Sequence, residues 1–320
     1  MVVGAGRFGA NYPRVLSQLG IEAAGVGAES GFRRLVVTRT HLAAARQTAA
    51  LIAQMPDSPF ESVEGVEVAA RAQLERALER YRPILICITA RDPQSGDAIH
   101  ARYAPAALAF GAVLCEKPFS RADDRRAPVI LRQLIAHPQA PRFGLHLPMA
   151  VALEAMLAHT RLKALLYSAR RIEFIWERLG NGTDLINDLA LHPWSLIPER
   201  DDLQVSTVER RGEQVEIAFQ TPQRAGRMIL RGRGSFRGMR LDDQVLRFEF
   251  SAGQLHVREC AADWPAVLSG SRAVSAEYPI VSVDNPLKAH ILALMAGRPL
   301  VGLARTLQSQ LFLAEACDRL

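Results

Sequence analysis

The chain has 320 residues, 49% of them hydrophobic and 22% charged, with a net charge of +6. That length fits two domains that each bury a core, and the composition is that of a globular protein, which excludes the disordered and low-complexity classes. No run of about 18 uncharged apolar residues occurs, so no membrane span is expected.

Four cysteines (Cys87, Cys115, Cys260, Cys317) are far apart and form no C-x-x-C pair. This predicts reduced thiols in a cytoplasmic protein, with neither a disulfide framework nor a metal site. The basic excess is spread along the chain and interleaved with acids, as in Glu209-Arg210-Arg211-Gly212-Glu213. Only the span from Arg224 to Arg240 is dense in arginine and free of glutamate and aspartate. We read the excess as compositional bias and expect no nucleic-acid partner.

In chain order, Met1-Val2-Val3 reads as the end of a strand, followed by Gly4-Ala5-Gly6-Arg7-Phe8-Gly9 and a helical stretch from Ala10 to Leu19. A G-x-G-x-x-G turn between strand and helix lets the backbone approach a pyrophosphate seated on the helix N-terminus. Gly4, Gly6, Arg7, Phe8 and Gly9 are therefore candidate dinucleotide contacts. Few residues precede Gly4, and the natural chain is expected to begin upstream of Met1; no secretory leader is evident. Gly20 to Arg34 reads as a long Gly-rich connection. Leu35 to Thr40 is the second strand, and His41 to Ile52 the next helix. The end of that strand selects the cofactor, because an acid there would hold a ribose 2′-hydroxyl and an arginine suits a 2′-phosphate. Thr38-Arg39-Thr40 contains no acid. NADP is thus expected in preference to NAD, with Thr38 and Arg39 as contacts.

Val66 to Val68 reads as a short strand, Arg71 to Tyr81 as an amphipathic helix, and Pro83 to Ala90 as a strand covered on both faces, with Thr89 near its end as a further candidate contact. Ala98 to Phe110 is a helix. Ala112 to Cys115 is a strand that stops in Glu116-Lys117-Pro118. The chain has only three lysines (Lys117, Lys163, Lys288). One of them stands where a buried strand ends, the edge at which open α/β sheets bind ligands. A partly desolvated lysine there can move a proton. The alternation of strand and helix predicts a doubly wound parallel sheet.

The glycine turn, His100, Ala107-Leu108, Gly111 and Cys115-Glu116-Lys117-Pro118 together resemble the glucose–fructose oxidoreductase/inositol dehydrogenase (Gfo/Idh/MocA) family. The resemblance implies an N-terminal Rossmann domain (1–120) and a substrate-binding α/β domain (121–320) with a large, open, mostly antiparallel sheet. It implies a homo-oligomer, dimer or tetramer, formed through that sheet. It also implies hydride transfer between a nicotinamide and a sugar-like or other small hydroxyl or carbonyl compound. Glu116 and Lys117 become cofactor contacts, and Lys117 also the catalytic or substrate-orienting residue.

Residues 121–142 read as charged and helical, Phe143 to Pro148 as a strand crossing into the second domain, Ala150 to Thr160 as a helix, and Leu165 to Trp176 as a strand. In Asn181 to His192, Asp188 and His192 are four apart and would share one helix face. This resembles the family's glycine-loop and Asp-x-x-x-His helix, which implies His192 as acid/base partner and Asp188 as orienting group. Where many relatives carry a second Asp, this chain has Ser195. From Val205 to Arg258 strands and tight turns read as a meander, followed by helices at Pro286 to Met295 and Thr306 to Cys317. Two other readings stay open: an NADPH-dependent imine or keto reductase of a biosynthetic pathway, and a non-catalytic dinucleotide-binding regulator.

Overall fold

The computed structural model describes residues 1–6, 9, 11–25, 33–55, 58–92, 94–178, 184–251, 253–269 and 274–320. The chain forms two compact units. The first comprises Met1–Arg121, Arg126–His146 and Leu287–Thr306, and the second Ala122–Arg125, Leu147–Pro286 and Leu307–Leu320.

The first unit alternates strand and helix: β1 (Val2–Val3), α1 (Asn11–Gly25), β2 (Arg34–Arg39), α2 (Leu42–Ala53), β3 (Ser62–Glu67), α3 (Arg71–Tyr81), β4 (Leu85–Ile88), α4 (His100–Leu108), β5 (Ala112–Glu116), α5 (Ala127–Ile135) and β6 (Phe143–His146). The strands form one six-stranded sheet in the order β3-β2-β1-β4-β5-β6. Every pairing in it is parallel. The order reverses between β1 and β4, and that switch point leaves a crevice at the carboxyl ends of the strands. α1 buries Tyr12, Val15, Leu16 and Leu19, a helical stripe that packs with Val37, Cys87 and Leu114 of the sheet. α1 runs on to Gly25, so the long connection expected from Gly20 is in part helix. The helix expected over 121–142 is only α5, which begins where Pro128 occupies the first turn, a position proline favours.

The second unit holds α6 (Pro148–Ala158), α7 (Thr160–Ser168), β7 (Arg171–Glu177), α8 (Leu185–Leu189), α9 (Leu191–Trp194), β8 (Gln204–Arg211), β9 (Gln214–Gln220), β10 (Ala225–Arg231), β11 (Arg237–Leu241), β12 (Gln244–Ser251), β13 (Gln254–Ala262), α10 (Trp264–Leu268) and β14 (Val274–Val283). α11 (Pro286–Met295) then returns to the first unit, where Leu287, Ile291 and Leu294 join its core. α12 (Leu303–Asp318) closes the chain. The strand expected from Leu165 begins only at Arg171. Residues 165–168 belong to α7, which buries Leu162 and Leu166 one turn apart and is capped by the His159 ring.

The second sheet has eight strands in the order β14-β13-β12-β11-β7-β10-β9-β8. It is not the simple meander expected: β7 lies between β10 and β11, parallel to β10 and antiparallel to β11. Phe174 and Ile175, neighbours in β7 on opposite faces, are both fully buried. A strand apolar on both faces belongs in the middle of a sheet rather than at its edge. On one face, Trp264 and Val267 of α10 cover Ile175, Ile229 and Val245.

On that same face Glu173 has a side chain only 1% exposed, ion-paired with Arg171, Arg227 and Arg240. No helix among the described residues is long and apolar enough to cross a membrane. Removing the Glu173 carboxylate strands its partly buried arginines. Glu173→Ala is expected to cost roughly 3–5 kcal/mol in urea unfolding, and Glu173→Gln less.

Candidate active site

The glycine turn leaves β1 under tight constraint. Gly4 has φ of +85°, and a Cβ there would collide with the backbone of Ala90. Its N–H donates to Thr38 Oγ1 at 3.3 Å, and its carbonyl accepts from Thr89 Oγ1 at 2.8 Å. Both threonines are buried, so their hydroxyls brace the turn. A Cβ on Gly9 would stand 2.6 Å from Thr89 Oγ1, so Gly9 also serves close packing. Gly6 differs. Among the described residues a Cβ there would meet nothing nearer than 3.9 Å, the carbonyl of Gly4. None of the described residues requires glycine at this position. Gly4, Gly6, Thr38, Arg39, Thr89 and Arg91 are among the residues around a cavity of about 480 Å³ at the switch point. Arg7 and Phe8 lie outside the described residues.

Arg39 ends β2, and its Nη1 donates to the Ala5 carbonyl at 3.2 Å and to Thr48 Oγ1 at 3.4 Å. It has no carboxylate partner among the described residues. A glycine-lined hollow bordered by a cation at the end of the second strand fits the diphosphate and ribose phosphate of a dinucleotide.

Glu116 does not border this cavity. Its Oε1 accepts from Tyr12 Oη at 2.8 Å and from His146 Nδ1 at 3.0 Å, and its Oε2 accepts the backbone N–H of Lys117 at 3.2 Å. Burial pushes this carboxyl up, but the His146 charge and the hydrogen bonds from His146 and Tyr12 outweigh it and hold it down at about 2. Burial and the Glu116 charge raise the Tyr12 phenol, which stays a donor. Lys117, half-buried, directly follows β5 through a cis bond to Pro118. The Pro118 carbonyl accepts from His100 Nδ1 at 2.9 Å. Burial brings His100 down to about 4, against the opposing pull of the Glu116 charge. Glu116 therefore grips the peptide unit entering Lys117, and His100 the one leaving Pro118. Tyr12 and His146 were not expected here. They lie 104 and 30 residues from Glu116, and only the register of β5 with β6 brings His146 opposite Glu116.

In the second unit, Asp188 and His192 are not on one continuous helix. α8 and α9 meet at Ala190, which keeps helical angles between them. His192 stacks on Trp176, with centroids 5.5 Å apart and planes 12° from parallel. Asp188 forms an ion pair with Arg178. Asp184 caps α8, and the Asn187 side chain ties this segment to the Ala122 N–H at 2.8 Å. Ser195 is 1% exposed and donates to the His192 carbonyl at 2.9 Å, so it holds the helix and offers nothing to a ligand. Asn181, Gly182 and Thr183 lie outside the described residues. Among the described residues no cluster of His, Cys, Asp or Glu could hold a metal ion.

The glycines separate two effects. Gly4→Ala is expected to lower the melting temperature, whereas Gly6→Ala should leave it unchanged and weaken dinucleotide binding at least tenfold in a fluorescence titration. The titratable pair gives a pH profile. The ordinary value of His100 is 6.5 and its folded value about 4, so stability is full above pH 6.5 and falls as pH drops toward 4. Glu116, ordinarily 4.5 and here about 2, adds stability that is present above pH 4.5 and lost toward pH 2. Urea melts should fall across both windows, and Glu116→Gln should flatten the lower one while deepening the His100 window, because the Glu116 charge supports protonated His100.

No protein-family profile matches the chain, and no curated protein matches its sequence. Its fold is similar to that of solved structures. A variant of KijD10, a 3-ketoreductase from Actinomadura kijaniata in complex with TDP-benzene and NADP, is 14% identical with a TM-score of 0.67, over 99% of this chain and 96% of that one. UDP-N-acetylglucosamine 3-dehydrogenase GnnA from Acidithiobacillus ferrooxidans is 18% identical with a TM-score of 0.61, over 99% and 95%. Levoglucosan dehydrogenase in complex with NADH and levoglucosan is 12% identical with a TM-score of 0.63, over 100% and 97%. The likeness establishes the fold: a Rossmann-type parallel sheet and a second, large, mostly antiparallel sheet.

Proposed function

We propose that the protein is an NAD(P)-dependent oxidoreductase that transfers a hydride between the nicotinamide and a sugar-like or other small hydroxyl or carbonyl compound. The observation that carries this reading is Gly6, a glycine that none of the described residues requires, bordering a cavity at the switch point of a Rossmann-ordered sheet. Solved structures of similar fold that are named as a sugar dehydrogenase and a ketoreductase, with NADH and NADP bound, support it.

NADP is the preferred cofactor. Arg39 borders the cavity with its guanidinium anchored on Ala5 and Thr48, and the end of β2 carries no acid to hold a 2′-hydroxyl. When bound, the nicotinamide supplies or accepts the hydride. Lys117 or His192 gives or takes the proton at the substrate oxygen. Glu116, through the Lys117 N–H, and His100, through the Pro118 carbonyl, fix the backbone that carries the lysine. Asp188 orients a substrate hydroxyl, its charge partly balanced by Arg178. The buried thiols of Cys87, Cys115 and Cys260 suit a reducing compartment, which we take to be the cytoplasm.

Fluorescence titration with both nucleotides tests the cofactor assignment. NADPH should bind more tightly than NADH, and Arg39→Ala should remove most of that preference; binding of neither nucleotide would end the oxidoreductase reading. Lys117→Ala and His192→Ala should each lower kcat by about 10²–10⁴-fold while nucleotide binding persists. Full turnover in both variants would remove them from the chemistry.

A further inference from the structure

The arginines between Arg224 and Arg240 find their acids elsewhere in the second unit. Arg224 pairs with Glu199, Arg227 with Glu173 and Glu216, Arg231 with Glu177, Arg233 with Glu213, and Arg240 with Glu173. Arg237 is the exception. No carboxylate among the described residues pairs with it, and its guanidinium sits 5.8 Å from the centroid of the Phe250 ring. It is half-buried, and burial lowers its pKa. Among the described residues a cation is thus taken partly out of water with no counter-charge, an arrangement that costs free energy unless a ligand supplies one.

The register says where that cation stands. Arg237 opens β11 directly opposite Trp176 of β7. Residues opposed across an antiparallel pair project from the same face, with Cβ atoms about 5 Å apart. Trp176 is the ring on which His192 stacks, and it also contacts Phe248. Arg240, three residues on, takes the other face, where it meets Glu173 and Trp264. Near His192 the sheet therefore carries a buried Trp176–Phe248 pair and, beside it, one half-buried guanidinium with no carboxylate partner among the described residues, a group whose planar fork suits phosphate and carboxylate.

We propose that Arg237, opposite the Trp176 that carries His192, binds an anionic group, phosphate or carboxylate, on the substrate that His192 serves. This rests on the oxidoreductase reading and narrows its substrate from a sugar-like compound to an acidic one, such as a sugar phosphate, a nucleotide sugar or a sugar acid.

The full-length protein, saturated with NADPH to fill the glycine turn, would be titrated calorimetrically with inorganic phosphate, glucose 6-phosphate, glucuronate and glucose. The acidic probes should bind at least about tenfold more tightly than glucose. Arg237→Gln should remove that advantage, and Arg237→Lys should keep part of it. Preference for the phosphates over glucuronate assigns a phosphate, and the reverse a carboxylate. Equal affinity of wild type and Arg237→Gln for the acids, or no advantage of any acid over glucose, would overturn the proposal. Arg237→Met, which preserves the stem over Phe250, gives the same readout if glutamine unfolds the sheet. The NADPH titration is read separately, so its failure would remove the oxidoreductase reading alone. The comparison of wild type with variant, repeated without nucleotide, still decides Arg237, because the variants leave the glycine turn intact.

Discussion

No side chain fits between Gly4 and Ala90, and the first unit is arranged around that contact. It lets the chain leaving β1 press against the chain leaving β4. Two buried threonines from the neighbouring strands, Thr38 and Thr89, then fasten Gly4 by its N–H and its carbonyl. With those groups satisfied inside the protein, Gly4 needs no ligand to hold its conformation. What remains open is the space by Gly6, bordered by Arg39. Binding to a preformed hollow of this kind forfeits little ordering entropy.

A second buried polar group performs a parallel task one strand away. The Glu116 carboxylate is held by Tyr12 from α1 and His146 from β6, and it passes that fixity to Lys117 through a backbone hydrogen bond. A side chain that belongs to the same Glu-Lys-Pro run as the lysine thus acts inward. The position of the lysine backbone is therefore tied to the packing of α1 and β6 on the sheet.

Much of the first unit was legible in the sequence because its signals are local. The apolar stripe of Arg71 to Tyr81, the continuous apolar run ending at Thr89 and the glycine spacing each specify their own element. The second unit was less so. β7 was read six residues too early because Leu165 and Leu166 suit a strand as well as the helix they complete. The insertion of β7 between β10 and β11 depends on which strand is apolar on both faces once the whole sheet exists. β11 and β14 were missed, the former because Arg237-Gly238-Met239-Arg240-Leu241 alternates around a glycine and two charges. Gly4, Gly6, Thr38, Arg39 and Thr89, which the sequence singles out, border one cavity. The partners of Glu116 and Asp188 did not show, since nothing in a linear pattern says that Tyr12 meets Glu116 or that Arg178 meets Asp188. The arginine-rich span shows the same limit: it looks like a basic tract in the chain and is mostly a set of neutralised pairs in the sheet.

The Ser195 side chain is sealed beneath its own helix on the His192 carbonyl. An aspartate at this position would place a carboxylate where only a carbonyl oxygen receives it, at a cost of several kcal/mol. Packing alone therefore closes the position to an acid, and polar selectivity in this unit falls to side chains that face outward.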